Sequence, residues 1–177
     1  MPANALSGTY RALGFTVGRM KTGTVPRIHR RSIDTTVMEA QAGDEAPRPF
    51  SFFTPMEGFN PNRIECWIAY TNDRTHEVIR GSLDQSPLYA GVIEGIGPRY
   101  CPSIEDKVMR FPDKTEHRVF LEQEGLMTSE VHVNGLSTSL PESVQLDYLR
   151  TIPGVEEVES ILPGYAGEFD FIPPTPL

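Results

Sequence analysis

Residues 95–107 read GIGPRYCPSIEDK, and they decide the fold because they directly follow a predicted strand, Leu88 to Glu94. Their first three residues match the start of a dinucleotide-binding turn, but the sixth position is Tyr100, where that turn requires glycine. The chain holds 15 glycines and 16 prolines, which divide it into short elements and argue against a helical bundle. The sequence therefore predicts a mixed fold, α/β or α+β.

Composition excludes several classes of protein. The chain has 177 residues, 38% of them hydrophobic, and no apolar run near the roughly 20 residues that span a bilayer. The first six residues show neither the basic nor the apolar region of a secretory signal, so we expect a cytoplasmic protein. The length suits roughly one domain with a buried core.

The charge is distributed unevenly along the chain. The net charge is −8, yet residues 1–31 contain six basic and no acidic side chains, a local charge of +6 that leaves −14 for the rest. A basic segment on an acidic body suits local contact with phosphate groups, and an ordinary solvated surface is the alternative. The six residues are Arg11, Arg19, Lys21, Arg27, Arg30 and Arg31.

Local patterns predict the elements of the first half. A helix from Leu6 to Leu13 is expected to end at Gly14, and a strand to follow from Phe15 to Met20. Residues 41–62 predict a long ordered loop with its phenylalanines packed as anchors. A strand from Ile64 to Tyr70 and a helix from Asp73 to Leu83, capped by Asn72, come next.

The second half predicts a hairpin and a capped helix. Val108 to Phe111 and His117 to Leu121 flank a turn-forming stretch, which indicates a hairpin. Ser139 and Glu142 have the spacing of a capping box at the start of a helix. Leu140, Val144, Tyr148 and Ile152 then recur on one face of that helix until Pro153 and Gly154.

No metal site is predicted. His76 and Glu77 resemble a zinc-protease helix, but Arg80 stands where the second histidine ligand must be. The remaining histidines lack the spacing of ligands. Cys66 and Cys101 lie 35 residues apart, which does not indicate a disulfide framework.

Cys101 is the candidate nucleophile. A thiolate is the reactive form of cysteine, and Arg99 and Lys107 would favour it, whereas Glu105 and Asp106 oppose it. Pro102 suits the first position of a helix, which would place Cys101 at a helix N-terminus. The alternative is a small buried cysteine in a glycine- and proline-rich loop. Cys66, on the predicted strand, is expected in the core.

The run from Gly97 to Phe111 closely resembles the signature of the MnmG family, also called GidA, flavoproteins that modify the wobble uridine of tRNA. The similarity extends almost end to end. It includes, in the family's order, Gly18 to Ile28, Tyr70 to Asn72 with Thr75 and His76, Ser86 to Gly95, Asn134 to Pro141, and Pro163 to Ala166.

The chain also departs from the family. Val25, Gln123 and His132-Val133 replace residues that are usual at these positions, which suggests a divergent member. The family's Gly-x-Gly-x-x-Gly FAD fingerprint, first cysteine and helical C-terminal domain have no counterpart here. The resemblance therefore implies that the chain corresponds to the middle third of the enzyme.

The resemblance implies a glutathione-reductase-like flavoprotein fold, in which an NAD-binding domain is inserted into an FAD-binding domain. Residues 1–21 would be the outgoing edge of the FAD-binding domain, and residues 22–115 would form the inserted NAD-binding domain. Residues 116–177 would be the returning segment of the FAD-binding domain. The resemblance also assigns the nicotinamide nucleotide to one stretch, Gly97, Pro98, Arg99, Tyr100, Cys101, Pro102, Ser103, Ile104, Glu105, Asp106, Lys107, Val108, Met109, Arg110 and Phe111.

The activity implied is formation of a 5-carboxymethylaminomethyl or aminomethyl group on uridine. The implied cofactors are FAD and NADH, with methylene-tetrahydrofolate as one-carbon donor, and the implied partners are tRNA, the GTPase MnmE and a second subunit of a homodimer. Cys101 would attack the uracil ring, with Arg99 or Lys107 stabilising the thiolate or the enolate. Basic residues expected to bind tRNA are Arg19, Lys21, Arg27, Arg30 and Arg31. Tyr100 or Trp67 would stack on a base, and packing of each aromatic ring within the protein is the alternative.

Two alternatives stay open from the sequence. One is a sister flavoenzyme, the folate-dependent tRNA uracil methyltransferase, although the run from Arg99 to Lys107 favours MnmG. The other is a non-catalytic fragment that binds a nucleotide or tRNA.

Overall fold

A computed structural model describes residues 4–95, 97 and 102–174. Arg99, Tyr100 and Cys101 lie outside the described residues, as do Pro98 and Ile96. Within the described part, no helix has the length and apolar character needed to cross a membrane.

A six-stranded antiparallel sheet forms the centre of the structure. Its strands are β2 (Arg27–His29), β3 (Glu39–Gln41), β4 (Cys66–Tyr70), β5 (Arg118–Gln123), β6 (Glu130–Asn134) and β7 (Ser160–Leu162), in the order β3-β4-β5-β6-β2-β7. In the central pair Leu121 lies opposite Val133, and Trp67 lies opposite Leu121 on the other side. Alternate residues therefore present one apolar face.

Three helices supply buried side chains to the same core. They are α2 (Asp73–Arg80), α3 (Ile104–Arg110) and α4 (Glu142–Leu149). Ile79, Val108 and Tyr148, one from each helix, are completely buried with Val119 and Leu121 of the sheet. The fold is thus mixed α/β with a helical layer on a sheet, as the sequence predicts.

A separate two-stranded ladder carries the two ends of the described chain. Strand β1 (Gly18–Gly23) pairs antiparallel with β8 (Ala166–Phe171), in a register that sets Lys21 opposite Glu168. Helix α1 (Asn4–Ala12) precedes β1, and Gly14 follows it with φ of +91°. The predicted helix ending at Gly14 is confirmed, but the strand begins at Gly18, not at Phe15.

The predicted start of helix α2 and its Asn72 cap are confirmed, but the helix ends at Arg80 and not at Leu83. The Asn72 side chain accepts a hydrogen bond from the Thr75 amide at 3.1 Å, and the Thr75 hydroxyl accepts one from the Asn72 amide at 3.1 Å. This capping box is local in sequence, so a pattern of residues is sufficient to find it.

Three predicted elements are wrong. The residues Leu88 to Glu94 form turns and irregular backbone, and Val108 to Phe111 belong to helix α3 and its end, so no hairpin joins them to β5. Ser139 does not cap α4, because its amide and hydroxyl donate to the buried Glu105 carboxylate at 2.9 and 3.1 Å. Helix α4 begins instead at Glu142 after Pro141, without a side-chain cap.

The loop between β3 and β4 also differs from expectation. The exposed fractions of Phe50, Phe52 and Phe53 are 108%, 105% and 96%, so they are not packed anchors. The base of the loop is nevertheless fixed, since the Asn62 side chain donates to the Asp44 carbonyl at 2.8 Å and a Cβ on Gly43 would overlap the Asn62 amide.

Candidate functional site

The candidate site is the segment that leads into helix α3. Ser103 is the N-cap of this helix: its hydroxyl accepts from the Asp106 amide at 3.3 Å, and the Asp106 carboxylate accepts from the Ser103 amide at 3.4 Å. The expectation that Pro102 is the first helical residue is therefore wrong. The Ser-x-x-Asp spacing from Ser103 to Asp106 is the sequence signal that identifies the correct start.

Five of the eleven described residues in the stretch assigned to the nucleotide are buried. Ser103, Ile104, Glu105, Asp106 and Val108 are all buried, so none of them has a surface to offer a large ligand. Pro102 and Lys107 are partly exposed, and the exposed members are Met109, Arg110 and Phe111.

Glu105 connects α3 to two neighbouring loops. Its Oε1 atom accepts hydrogen bonds from the Ser139 amide and hydroxyl and, at 3.5 Å, from Ser86. Its Oε2 atom and the Tyr148 hydroxyl are buried without a hydrogen-bond partner in the described structure. Burial, followed by the nearby Glu105 charge, raises the pKa of Tyr148 far above its usual range, so the phenol stays neutral.

Lys21 is a structural cation in this structure. It is buried, and its Nζ atom lies 3.5 Å from Oδ2 of Asp106, with side-chain exposures of 8% and 11%. Asp106 also contacts Tyr89 at 3.4 Å and Arg110 at 3.6 Å. The pair therefore links β1 to the N-terminal turn of α3.

The residues that precede Cys101 in sequence, Glu94 and Gly95, are held against the β1–β8 ladder. The Glu168 carboxylate of β8 accepts from the amides of Glu94 and Gly95 at 3.0 and 2.6 Å. A Cβ on Gly95 would lie 2.8 Å from the Lys21 backbone nitrogen, and one on Gly97 would lie 3.0 Å from the Lys21 Cε atom. Both flanks of residues 98–101 are thus positioned by β1 and β8.

A cavity of about 380 Å³ with a mixed polar and apolar lining lies beside the start of α3. Lys107 lines it and donates from Nζ to the Gly135 carbonyl at 2.8 Å. The other lining residues come from the β1–β2 connection, Pro102 and strand β6 with the loop after it, and they are Gly23, Thr24, Val25, Arg27, Pro102, His132, Asn134, Gly135 and Ser137. The cavity combines cationic, amide and hydroxyl groups, which suits a polar or anionic ligand.

Four of the five predicted tRNA-binding cations have acidic partners. Arg19 pairs with Glu168 and Asp170, Lys21 with Asp106, Arg27 with Glu124 and Arg31 with Glu159. Arg27 and His132 together lower the pKa of Glu124, His132 having the larger effect. Arg30 is exposed and has no ion pair in the described part of the chain. The five residues therefore do not form one open basic surface.

Two other expectations concern cysteine and metal. Cys66 is partly buried on β4, and burial, followed by the Glu122 charge, raises the pKa of its thiol, which makes it a poor nucleophile. Among residues 4–95, 97 and 102–174, no three His, Cys, Asp or Glu side chains are grouped so as to hold a metal ion.

Comparisons with known proteins identify the family. The sequence matches the family described as glucose inhibited division protein A over residues 1–177. It is 56% identical over 173 residues to the tRNA uridine 5-carboxymethylaminomethyl modification enzyme MnmG of Desulfotalea psychrophila, covering 98% of this chain and 27% of that relative. The MnmG of Geobacter metallireducens is 56% identical over 177 residues, which is 100% of this chain and 28% of the relative.

A solved structure of this family has a similar fold. Aquifex aeolicus GidA in its form I crystal superimposes with a TM-score of 0.86 at 52% identity, over 97% of this chain and 29% of that one. The chain thus spans about 28% of the length of the curated relatives it matches. With the match of the whole chain to the family description, the fold and these identities show that the chain belongs to the GidA (MnmG) family.

Proposed function

We propose that this chain carries the nucleophile-bearing part of an enzyme that forms the 5-carboxymethylaminomethyl or aminomethyl group on the wobble uridine of cytoplasmic tRNA. The observation that carries the proposal is the identity of 56% to two MnmG relatives over 173 and 177 residues of this chain. The cavity of about 380 Å³ is lined by Lys107 and by Pro102, the residue that follows Cys101, and it supports the proposal with a place for the pyrimidine ring.

The chemistry requires a thiolate because C5 of uracil is a weak nucleophile. The Cys101 sulfur forms a bond to C6 of the ring, and the C5–C6 electron pair moves to give an enolate on the C4 oxygen. C5 then attacks an electrophilic methylene carbon, and the π electron pair of that carbon's double bond to nitrogen moves onto the nitrogen. Loss of the C5 proton and cleavage of the C6–S bond restore the ring and release the thiolate. Lys107, with Arg99, stabilises the anionic forms.

Cofactor binding is shared with the rest of a full-length protein. When bound, FAD reduced by NADH supplies the redox chemistry, with methylene-tetrahydrofolate as the one-carbon donor. A cavity of about 760 Å³ between α1 and the β1–β8 ladder is lined by Tyr10, Phe169 and Phe171 and fits a flat aromatic ring. The sequence contains no Gly-x-Gly-x-x-Gly turn, so these residues fit the ring but not the pyrophosphate.

The nicotinamide nucleotide is assigned to the accessible members of its stretch. We place its contacts on Pro102, Lys107, Met109, Arg110 and Phe111, while the buried members hold α3 in position. The GTPase MnmE and a second subunit complete the proposed assembly.

The sheet suggests different limits for the inserted domain. The expected boundary at 115/116 falls between α3 and β5, which contribute Val108 and Val119 to one core. Strand β4, from before that boundary, pairs with β5 from after it. The insertion we propose therefore runs from about residue 24 to 165, with the β1–β8 ladder as its connection to the FAD-binding domain.

The test uses the full-length protein and compares two cysteine variants. Cys101→Ser is expected to abolish the modified uridine in tRNA, measured by mass spectrometry of digested nucleosides, with unchanged flavin absorbance. Cys66→Ser is the matched control and retains the modification, because its thiol is held in the unreactive form. Modified uridine formed by Cys101→Ser at the normal rate would refute the covalent role.

A further inference from the structure

Two exposed arginines that line one cavity have no charge partner among the described residues. The side chains of Arg30 and Arg63 are exposed and make neither an ion pair nor a hydrogen bond with any described residue. Arg30 follows β2 and Arg63 ends the β3–β4 loop, and both line one cavity of about 570 Å³. Unpaired guanidinium groups contact phosphate without first breaking a salt bridge.

Trp67 forms a wall of the same cavity. It also lines a smaller adjoining cavity of about 170 Å³, which shares Arg30, Ile64 and Glu65 with the larger one. Trp67 is half-buried and packs against the hydrophobic core, so its position is fixed by β4. A fixed indole in a cavity that two arginines also line provides a surface on which a nucleobase stacks.

The β3–β4 loop, whose two ends line this cavity, carries further aromatic side chains. Its two ends, residues 42–45 and residues 60 and 62–65, line the cavity, and between them Phe50, Phe52 and Phe53 are almost fully exposed. Exposed phenylalanines are costly in water, whereas unpaired bases of RNA stack on them. Asp44, Glu45 and Glu65 also line the cavity and oppose phosphate there, so the bases and not a dense row of phosphates supply most of the contact.

From these observations we infer that Trp67, Arg30, Arg63 and the loop from Phe50 to Phe53 form a binding site for single-stranded RNA, separate from the cavity beside Lys107. The inference rests on the proposed function only for the source of the RNA, the loop of a tRNA anticodon arm. Its recognition chemistry is base stacking with two phosphate contacts, and it does not involve Cys101.

The experiment titrates this 177-residue chain with a fluorescein-labelled anticodon stem-loop RNA and follows anisotropy. Trp67 is the one tryptophan of the chain, so its emission reports contact at this site directly. We expect quenching of Trp67 on binding, weaker binding of a fully paired duplex of the same length, and about fivefold weaker binding after Phe52→Ser with Phe53→Ser.

Charge variants test the arginines against a matched control. Arg30→Ala with Arg63→Ala is expected to weaken binding about tenfold and to reduce the slope of log affinity against log salt by about 1.4. Arg74→Ala with Arg80→Ala removes the same charge from the exposed side of α2 and is expected to leave affinity within about twofold. Circular dichroism spectra of all variants serve as the control for folding.

Several outcomes would overturn the inference: no RNA binding, unchanged Trp67 emission at saturation, equal affinity for the duplex, or equal loss in both arginine pairs. The proposed function fails differently. It is tested by the modified uridine that the Cys101→Ser variant of the full-length protein forms, whereas this inference is tested by the RNA affinity of the Arg30→Ala, Arg63→Ala variant.

Discussion

At the scale of single residues, two histidines in contact make this chain sensitive to acid. The rings of His76 and His117 lie 5.2 Å apart, and the Thr71 hydroxyl is 2.8 Å from Nε2 of His76 and accepts from the His117 amide at 2.8 Å. Burial lowers the pKa of both rings, and for His117 burial with the charges of His76, Lys107 and Lys114 lowers it to about 4. Both are therefore neutral in the folded protein near neutral pH.

The lowered pKa of His117 sets the pH range in which the folded chain loses stability. An unfolded histidine binds its proton near pH 6.5, so between about pH 6.5 and 4 protonation favours the unfolded chain. The loss is at most about 1.4 kcal/mol per pH unit, and solvent screening of this partly exposed ring reduces it. We expect the urea midpoint to fall between pH 6.5 and 5, above the range in which most carboxylates titrate.

The substitution His117→Phe keeps a ring against His76 and removes one titrating group, so most of this fall should disappear. His76 remains and accounts for the residual slope. His132→Phe on β6 is the matched control and should retain the full fall. A wild-type midpoint that is constant from pH 6.5 to 5 would contradict the prediction.

Single residues also show what the sequence alone does not predict, namely the acidic partners of the basic side chains in residues 1–31. The charge count of residues 1–31 is correct, but the count does not reveal that Glu124, Glu159, Glu168 and Asp170 fold back onto those cations from distant positions. Arg30 and Arg63 can be recognised as unpaired only after the strands are in register. Pairing partners more than 90 residues apart carry no local pattern.

At the scale of elements, the Lys21–Asp106 pair joins strand β1 to helix α3, and we expect it to contribute to stability. Removing one member of a buried pair leaves the other charge buried and unpaired. Lys21→Met keeps the aliphatic length beside Gly97 and is expected to lower the free energy of unfolding by about 3 kcal/mol, measured by urea denaturation.

Arg31→Met is the control for this prediction. It removes an ion pair with Glu159 whose side chains are 68% and 49% exposed, and it should change stability little. If Lys21 instead served RNA binding, Lys21→Met would leave the urea midpoint unchanged and weaken stem-loop binding, which would contradict its assignment as a structural cation.

Elements were predictable where their determinants are local. Asn72 with Thr75, Gly14 after α1, and the apolar face of α4 lie within a few residues of the structure they determine. Ser139 shows the opposite case, since the buried Glu105 carboxylate 34 residues away binds it more favourably than the helix end does. The strand prediction for Val108 to Phe111 failed because apolar residues in a short run suit a helix or a strand equally.

At the scale of the whole molecule, the chain has two parts that differ in how much of each is buried. The six-stranded sheet shares a core with three helices, whereas the β1–β8 ladder has two strands and buries only Lys21 among its side chains. Two-stranded ladders are marginally stable in water unless something packs on them. The cavity against α1 and the exposed Phe169 lie on this ladder.

We therefore expect amide hydrogen exchange to separate the two parts. In this chain alone, the amides of β1 and β8 should exchange well before those of β5 and β6, because local opening of the ladder leaves the core intact. In the full-length MnmG of Geobacter metallireducens, the corresponding ladder should be protected as strongly as the sheet, since the proposed FAD-binding domain would cover it. The protein of Geobacter also supplies the control, because its β5 and β6 amides should match those of this chain. Equal protection of ladder and sheet in the 177-residue chain would mean that the ladder belongs to the inserted domain, and the connection we propose between the two domains would have to lie elsewhere.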